Sequence, residues 1–189
     1  MISPEEFKKS WKKKDTNFIT YPLEALKNVN IVNTDKIFLC EMGLPESCAP
    51  YLRFLNYDKG GMSQVLNYLE KDNLDEDNID ELSNMLLLGM TGSGELIAID
   101  TGSNEIVCIN HEDGSISFVN SSINHLAESI LSYQKFLGSI QNRYDVLVDV
   151  NEMATEEDIE LLKNTIQNID KDAIEEESFW AIEIENFKD

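Results

Sequence analysis

Leu86-Leu-Leu-Gly-Met-Thr-Gly-Ser-Gly-Glu-Leu-Ile-Ala-Ile-Asp100 is the stretch on which the fold turns. An apolar run enters a glycine cluster (Gly89, Gly92, Gly94), the composition of a phosphate cradle. Such a cradle needs a helix N-terminus directly after the glycines, so that free backbone N–H groups and the helix dipole meet the anion. Here the chain leaves as Glu95-Leu-Ile-Ala-Ile-Asp100, short and β-branched. It breaks at Thr101-Gly-Ser-Asn104 and runs on as Glu105-Ile-Val-Cys-Ile-Asn110. A second break at Glu112-Asp-Gly114 precedes Ser115-Ile-Ser-Phe-Val-Asn120. Three β-type runs separated by Gly/Asn/Asp clusters predict an antiparallel meander with the glycines as turns. Ile97 with Ile99, and Ile116 with Phe118, follow the two-residue period of a sheet with one packed side.

Helices flank this meander. Ser3-Pro4-Glu5-Glu6 carries a cap, a first-turn proline and a capping-box glutamate, and Phe7 and Trp11 share a face. Lys12, Lys13 and Lys14 follow at the expected helix end, where the dipole favours cations. Residues 36–42 read as a short strand stopped by Gly43-Leu44-Pro45, and residues 51–57 as a second strand. Gly60-Gly61 opens a turn, and residues 62–69 fit helix or strand equally. Residues 70–81 form an insert dense in acids, expected as a solvated loop or frayed helix. Asn120-Ser-Ser122 then caps the strongest helix, whose stripe is Ile123, Leu126, Ile130, Tyr133, Leu137 and Ile140. After a linker near residues 142–151, Thr155-Glu-Glu-Asp158 starts a helix with Ile159, Leu162, Ile166 and Ile169 inward. A last short helix carries Phe179, Trp180, Ile182 and Phe187. The order predicts one α+β domain over residues 1–189, a mainly antiparallel sheet packed with N- and C-terminal helices. Residues 152–189 form its C-terminal helical extension.

The chain has 189 residues, 42% of them apolar, enough for one sizeable core. Its formal net charge is −21, from 36 acidic against 15 basic residues. That sign repels nucleic acid phosphates and anionic membranes and favours a basic partner. Simple solubility or a salt-adapted surface is the other reading of the charge. No apolar run approaches the roughly 20 residues that span a bilayer. Met1-Ile-Ser-Pro-Glu-Glu lacks the pattern of a signal peptide, so a cytoplasmic protein is expected. Cys40, Cys48 and Cys108 lack metal or disulfide spacing and read as reduced thiols in or near the core.

Sequence patterns for catalysis fail one by one. His111-Glu112 is not followed by a second histidine at metalloprotease spacing. Ser93 has Thr91 and Glu95 where a nucleophile elbow needs glycines. Counted from Asp75, an EF-hand loop would put Ile79, Asp80 and Leu86 where an oxygen ligand, glycine and glutamate belong. His111 reads as a turn residue and His125 as an exposed helical one. No catalytic, metal or cofactor-binding residue is assigned.

Several segments in order resemble the SUKH superfamily, the Smi1/Knr4-like immunity proteins, and its fourth branch in particular. Phe38-Leu-Cys-Glu-Met-Gly-Leu-Pro45 looks like the family's early strand and corner, and the stretch from Leu88 to Asp100 like its central strand pair. Glu105-Ile-Val-Cys-Ile-Asn-His111 resembles the next strand. Phe118-Val-Asn-Ser-Ser-Ile-Asn-His-Leu126 is similar to the start of its long helix, and Ile169-Asp170 with Ser178-Phe-Trp180 to its C-terminal ending. The resemblance implies a single α+β domain whose sheet and adjoining loops bind a toxin domain, often a nuclease. It implies an inhibitor without a catalytic motif.

The resulting expectation is an antitoxin, acting in a one-to-one complex as a monomer or weak dimer. It would occlude the basic active surface of a cognate toxin, without cofactor, direct nucleic-acid contact or membrane. An intracellular scaffold or regulator, and a small hydrolase built on carboxylates, are the competing readings. Asp72, Asp75, Glu76 and Asp77 of the insert are the expected toxin contacts, with a solvated loop as the plain alternative.

Overall fold

Short β-branched runs and polar turns build the centre of the molecule, seen in a computed structural model. It describes residues 2–11, 15–70, 74, 76–144 and 153–187. Helix α1 (Pro4–Ser10) starts with the expected box: Ser3 caps Glu6, and the Glu6 side chain returns to Ser3. Phe7 and Trp11 are both buried, their rings 5.6 Å apart. Lys12, Lys13 and Lys14 lie outside the described residues.

Phe18–Ile19 (β1) pairs antiparallel with Leu44–Pro45 (β2). Between them run α2 (Leu23–Leu26) and α3 (Asn33–Glu41). Residues 36–41 are therefore helical, not the expected strand. Asp35, Phe38 and Leu39 are buried, the three- and four-residue spacing of one helix face. The visible apolar run was too short for its period to separate the two conformations.

The main sheet has six antiparallel strands in sequence order. They are β3 (Ser47–Cys48), β4 (Leu52–Phe54), β5 (Met85–Met90), β6 (Leu96–Asp100), β7 (Ile106–Ile109) and β8 (Ile116–Asn120). Strands β5 to β8 are the expected meander. Gly92 and Gly94 occupy its first turn, but Gly89 lies inside β5, at a register shift. A Cβ on Gly89 would stand 2.3 Å from the Arg53 carbonyl oxygen of β4, so only glycine lets the strands approach there.

Both faces of the sheet are packed, which corrects the one-sided expectation. Leu88, Ile97, Ile99, Ile106 and Val119 join the large core with Phe7, Phe38 and Trp180. On the other face Leu87, Leu96, Ala98, Val107 and Ile109 meet Leu55, Val65, Leu69 and Leu82. Residues 62–69 supply part of that cover, with a 3₁₀ turn at Val65–Asn67. The second half of the acidic insert forms α4 (Glu76–Leu82), fixed by buried Leu82.

Helix α5 (Ile123–Tyr144) buries Ile123, Leu126, Ile130, Tyr133 and Ile140, with Leu137 half-buried. It takes in residues 142–144, which the sequence suggested as linker; residues 145–152 lie outside the described set. Helix α6 (Glu156–Ile169) begins with a Thr155–Asp158 capping box and buries Ile159, Leu162 and Ile166. Helix α7 (Phe179–Glu185) closes the core with Phe179 and Trp180, while Ile182 is exposed. Cys48 and Cys108 are buried, Cys40 is half-buried, and none of the three is in a disulfide.

Candidate partner-binding groove

A buried polar cluster fixes where the C-terminal helix lies. The Trp180 indole N–H donates to Asn120 Oδ1 at 2.9 Å. The Asn120 amide donates to Asp170 Oδ2 at 3.2 Å, and Ser121 donates to Asp170 twice, from its backbone N–H (2.6 Å) and its hydroxyl (2.9 Å). His125 Nδ1 stands 3.7 Å from the same carboxylate, so His125 is half-buried here and not the exposed residue expected. These bonds hold α7 against the end of β8.

Between α7 and the β5–β6 turn is a groove of about 510 Å³. Thr91, Ser93 and Glu95 form one wall at the β5–β6 turn, and Glu177, Ile182 and Glu183 form the other at α7. Cys108, Ser117 and Phe179 lie along its floor and sides. Glu95, Ile97 and Ile99 alternate onto one face of β6, which is why the Glu95 carboxylate points to the helix side. A second hollow of about 410 Å³ adjoins the first through Thr91, Ser93 and Glu183, and adds Pro50 and Tyr51. Tyr51 is 86% exposed and sits beside Gly92.

The two carboxylates are held differently. Glu95 accepts hydrogen bonds from the Thr91 and Ser93 hydroxyls. Burial alone would raise its pKa, but those donors, its backbone N–H and the nearby His111 bring it below the ordinary value. Glu183 has no hydrogen-bond or ion-pair partner among the described residues. Burial first, and the charge of Glu95 second, push it up to about 7. The buried Cys108 thiol is pushed up to about 12, by burial and then by the same two glutamates among other neighbours. That thiol is therefore not a nucleophile near neutral pH.

Among the described residues no lysine or arginine lines the groove. No group of three or more His, Cys, Asp or Glu there is arranged to hold a metal. The arrangement presents negative charge over an apolar floor, a setting for a cationic side chain with an aliphatic stem.

Of the insert, Asp72 and Asp75 fall outside the described residues. Glu76 is exposed at the start of α4, and Asp77 follows it in that helix. Helix α4 packs through Leu82 on the sheet face opposite Glu95, so the structure does not bring α4 and the groove together. His111 is an exposed turn residue as expected, and its ring lies against Gly94. Sequence reasoning missed Glu95 and Glu183, two acids among 36 that the fold joins across nearly half of the chain. The hydroxyls of Thr91 and Ser93 flanking Glu95 are the one local signal of a specially held carboxylate.

No helix among the described residues is long and apolar enough to cross a membrane. No curated protein and no solved structure matches the chain. The family model for the SUKH-4 immunity protein matches residues 5–186, from α1 to just past α7. The match spans the meander, the long helix and the C-terminal Asp170–Trp180 ending together, and the chain belongs to the SUKH-4 immunity protein family.

Proposed function

We propose that this immunity protein neutralises its cognate toxin, a nuclease domain, in a one-to-one cytoplasmic complex that covers the toxin's basic active surface. The net charge of −21 carries this reading. A nuclease must present positive charge to its phosphate substrate, and an acidic protein competes for that same surface. Opposite charges also speed encounter and disfavour wrong partners. Asp72, Asp75, Glu76 and Asp77 serve in this scheme as steering charges, acting before contact. The protein binds; it performs no catalysis of its own.

Affinity capture from source-cell lysate at low and high salt tests the reading, followed by an activity assay of the captured partner. The expected result is one stoichiometric basic partner whose nuclease activity stops on binding, with association slowed by salt. Capture of several acidic or neutral regulators, or a toxin that stays active in the complex, would overturn it. Reversing the sign of the four insert residues should slow association and flatten the salt dependence, with dissociation little changed.

A further inference from the structure

The groove between the β5–β6 turn and α7 has a chemistry that the charge of the whole molecule does not explain. Its walls carry Glu95 and Glu183, and no lysine or arginine of the described residues lines it. Its lining is apolar at Phe179 and Ile182, the latter 48% exposed. Tyr51 stands at the adjoining hollow with most of its ring in solvent. An acidic mouth, an apolar bed and a free aromatic face together match an arginine or lysine side chain, which has an aliphatic stem and a cationic head. A guanidinium also stacks on tyrosine and pairs with carboxylates through a planar fork. Tyrosine and arginine are the residue types that dominate the centres of protein interfaces.

We infer that this groove is the docking surface for the toxin, seating one arginine or lysine of its basic face between Glu95 and Glu183 with Tyr51 packed beside the cationic side chain. The inference rests on the immunity reading for the identity of the partner, but the groove's preference for a cationic side chain is testable without it. The two acidic regions then have separate tasks. The insert, whose helix α4 packs on the opposite sheet face, steers from a distance, and the groove holds.

Two arms test this in the full-length protein. In the first, capped arginine (N-acetyl-arginine methylamide) is titrated into the ¹⁵N-labelled protein, with capped citrulline as the uncharged control. Saturable shifts should gather at residues 91–95, 115–117 and 179–186, vanish with citrulline, and disappear in Glu95→Gln/Glu183→Gln. Shifts spread evenly over the acidic surface, or strongest at α4, would overturn the inference. In the second arm, Tyr51→Ala and Glu183→Gln are compared with wild type against the toxin captured above. Each should weaken the complex by about 30-fold through faster dissociation. Retained circular dichroism melts exclude misfolding, and Glu183→Gln leaves shape intact. Undiminished affinity in both variants would overturn the groove while leaving immunity standing. If no toxin is neutralised by wild type, immunity fails and the arginine titration still decides the groove's chemistry. A doubled mass in light scattering that Tyr51→Ala abolishes would instead assign the surface to a second copy and overturn the inference.

Discussion

Asp170 shows how one side chain can decide the position of a whole helix. Its two oxygens accept from the Ser121 N–H, the Ser121 hydroxyl and the Asn120 amide, and it is only 7% exposed. Asp170→Ala leaves those donors buried without acceptors, so unfolding in urea should show a loss of about 3 kcal/mol. Asp170→Asn should cost only about 1 kcal/mol. Its remaining oxygen can serve Ser121 N–H and Asn120, and its amide can face the Ser121 hydroxyl, which turns to accept. Equal losses for the two substitutions would mean that charge, not hydrogen bonding, holds the cluster. The bonds themselves were not legible along the chain. Asn120 reads there as a helix cap, and Asp170 and Trp180 stand out only as parts of an ending that resembles the family's; the fold shows Asn120 bonded to both. His125 was misread for the same reason, since its position off the apolar stripe of α5 does not show that Asp170 comes to meet it.

Among the elements, those with local signals were legible and those made by distant contacts were not. Capping boxes at Ser3 and Thr155, the turns of the meander and the stripe of α5 each repeat within a few residues. The run at residues 36–42 offered five apolar residues with no clear period, and burial of Asp35, Phe38 and Leu39 on one side made it a helix. Gly89 looked like a turn because its purpose lies in β4. Gly89→Ala should therefore disrupt the β4–β5 pairing, with a loss of about 3 kcal/mol and faster amide exchange at Leu55, whose N–H donates to Leu88. The α5–α6 junction depends on a different device. Arg143 grips Asp158 with two hydrogen bonds of 2.8 and 2.6 Å, while the same carboxylate completes the Thr155 capping box. Those bonds hold the Asp158 carboxyl well below the usual range. Asp158→Ala removes cap and bridge together and should cost about 2 kcal/mol, more than Arg143→Ala, which removes only an exposed bridge. Matching losses would show that the cap contributes nothing.

Over the whole molecule, acidity and burial set an unusual pH dependence. Asp35 is fully buried, accepts from the Ile123 N–H at 3.3 Å, and leaves its Oδ1 without a partner. Burial pushes its carboxyl from 3.8 up to about 6, against the pull of that N–H and of His125. A carboxyl raised in the folded state binds its proton more tightly folded than unfolded. Its contribution to stability is therefore complete below the unfolded value and is lost as pH rises through the folded value. For Asp35 that window runs from 3.8 to about 6, and for Glu183 from 4.5 to about 7. About one unit of the Asp35 window lies above pH 5, so this residue lowers stability by about 1.4 kcal/mol between pH 5 and 8. That is about 3–5 °C in Tm for a chain of this size. The mutual repulsion of a surface at −21 acts in the same direction. Melting temperature should therefore fall from pH 5 to pH 8. Asp35→Asn keeps an oxygen for the Ile123 N–H but cannot titrate, so it should remove that part of the fall while leaving the parts due to Glu183 and to repulsion. A Tm that rises over this range in wild type, or an unchanged fall in Asp35→Asn, would show that Asp35 is not the group that senses pH. Toxin binding adds a distinguishable signature at the same scale. A cation seated between Glu95 and Glu183 favours the ionised form of Glu183, so the complex should take up fewer protons than the free protein near pH 7, read as buffer-dependent heat in titration calorimetry. Glu183→Gln should abolish that proton release, and Asp35→Asn should not.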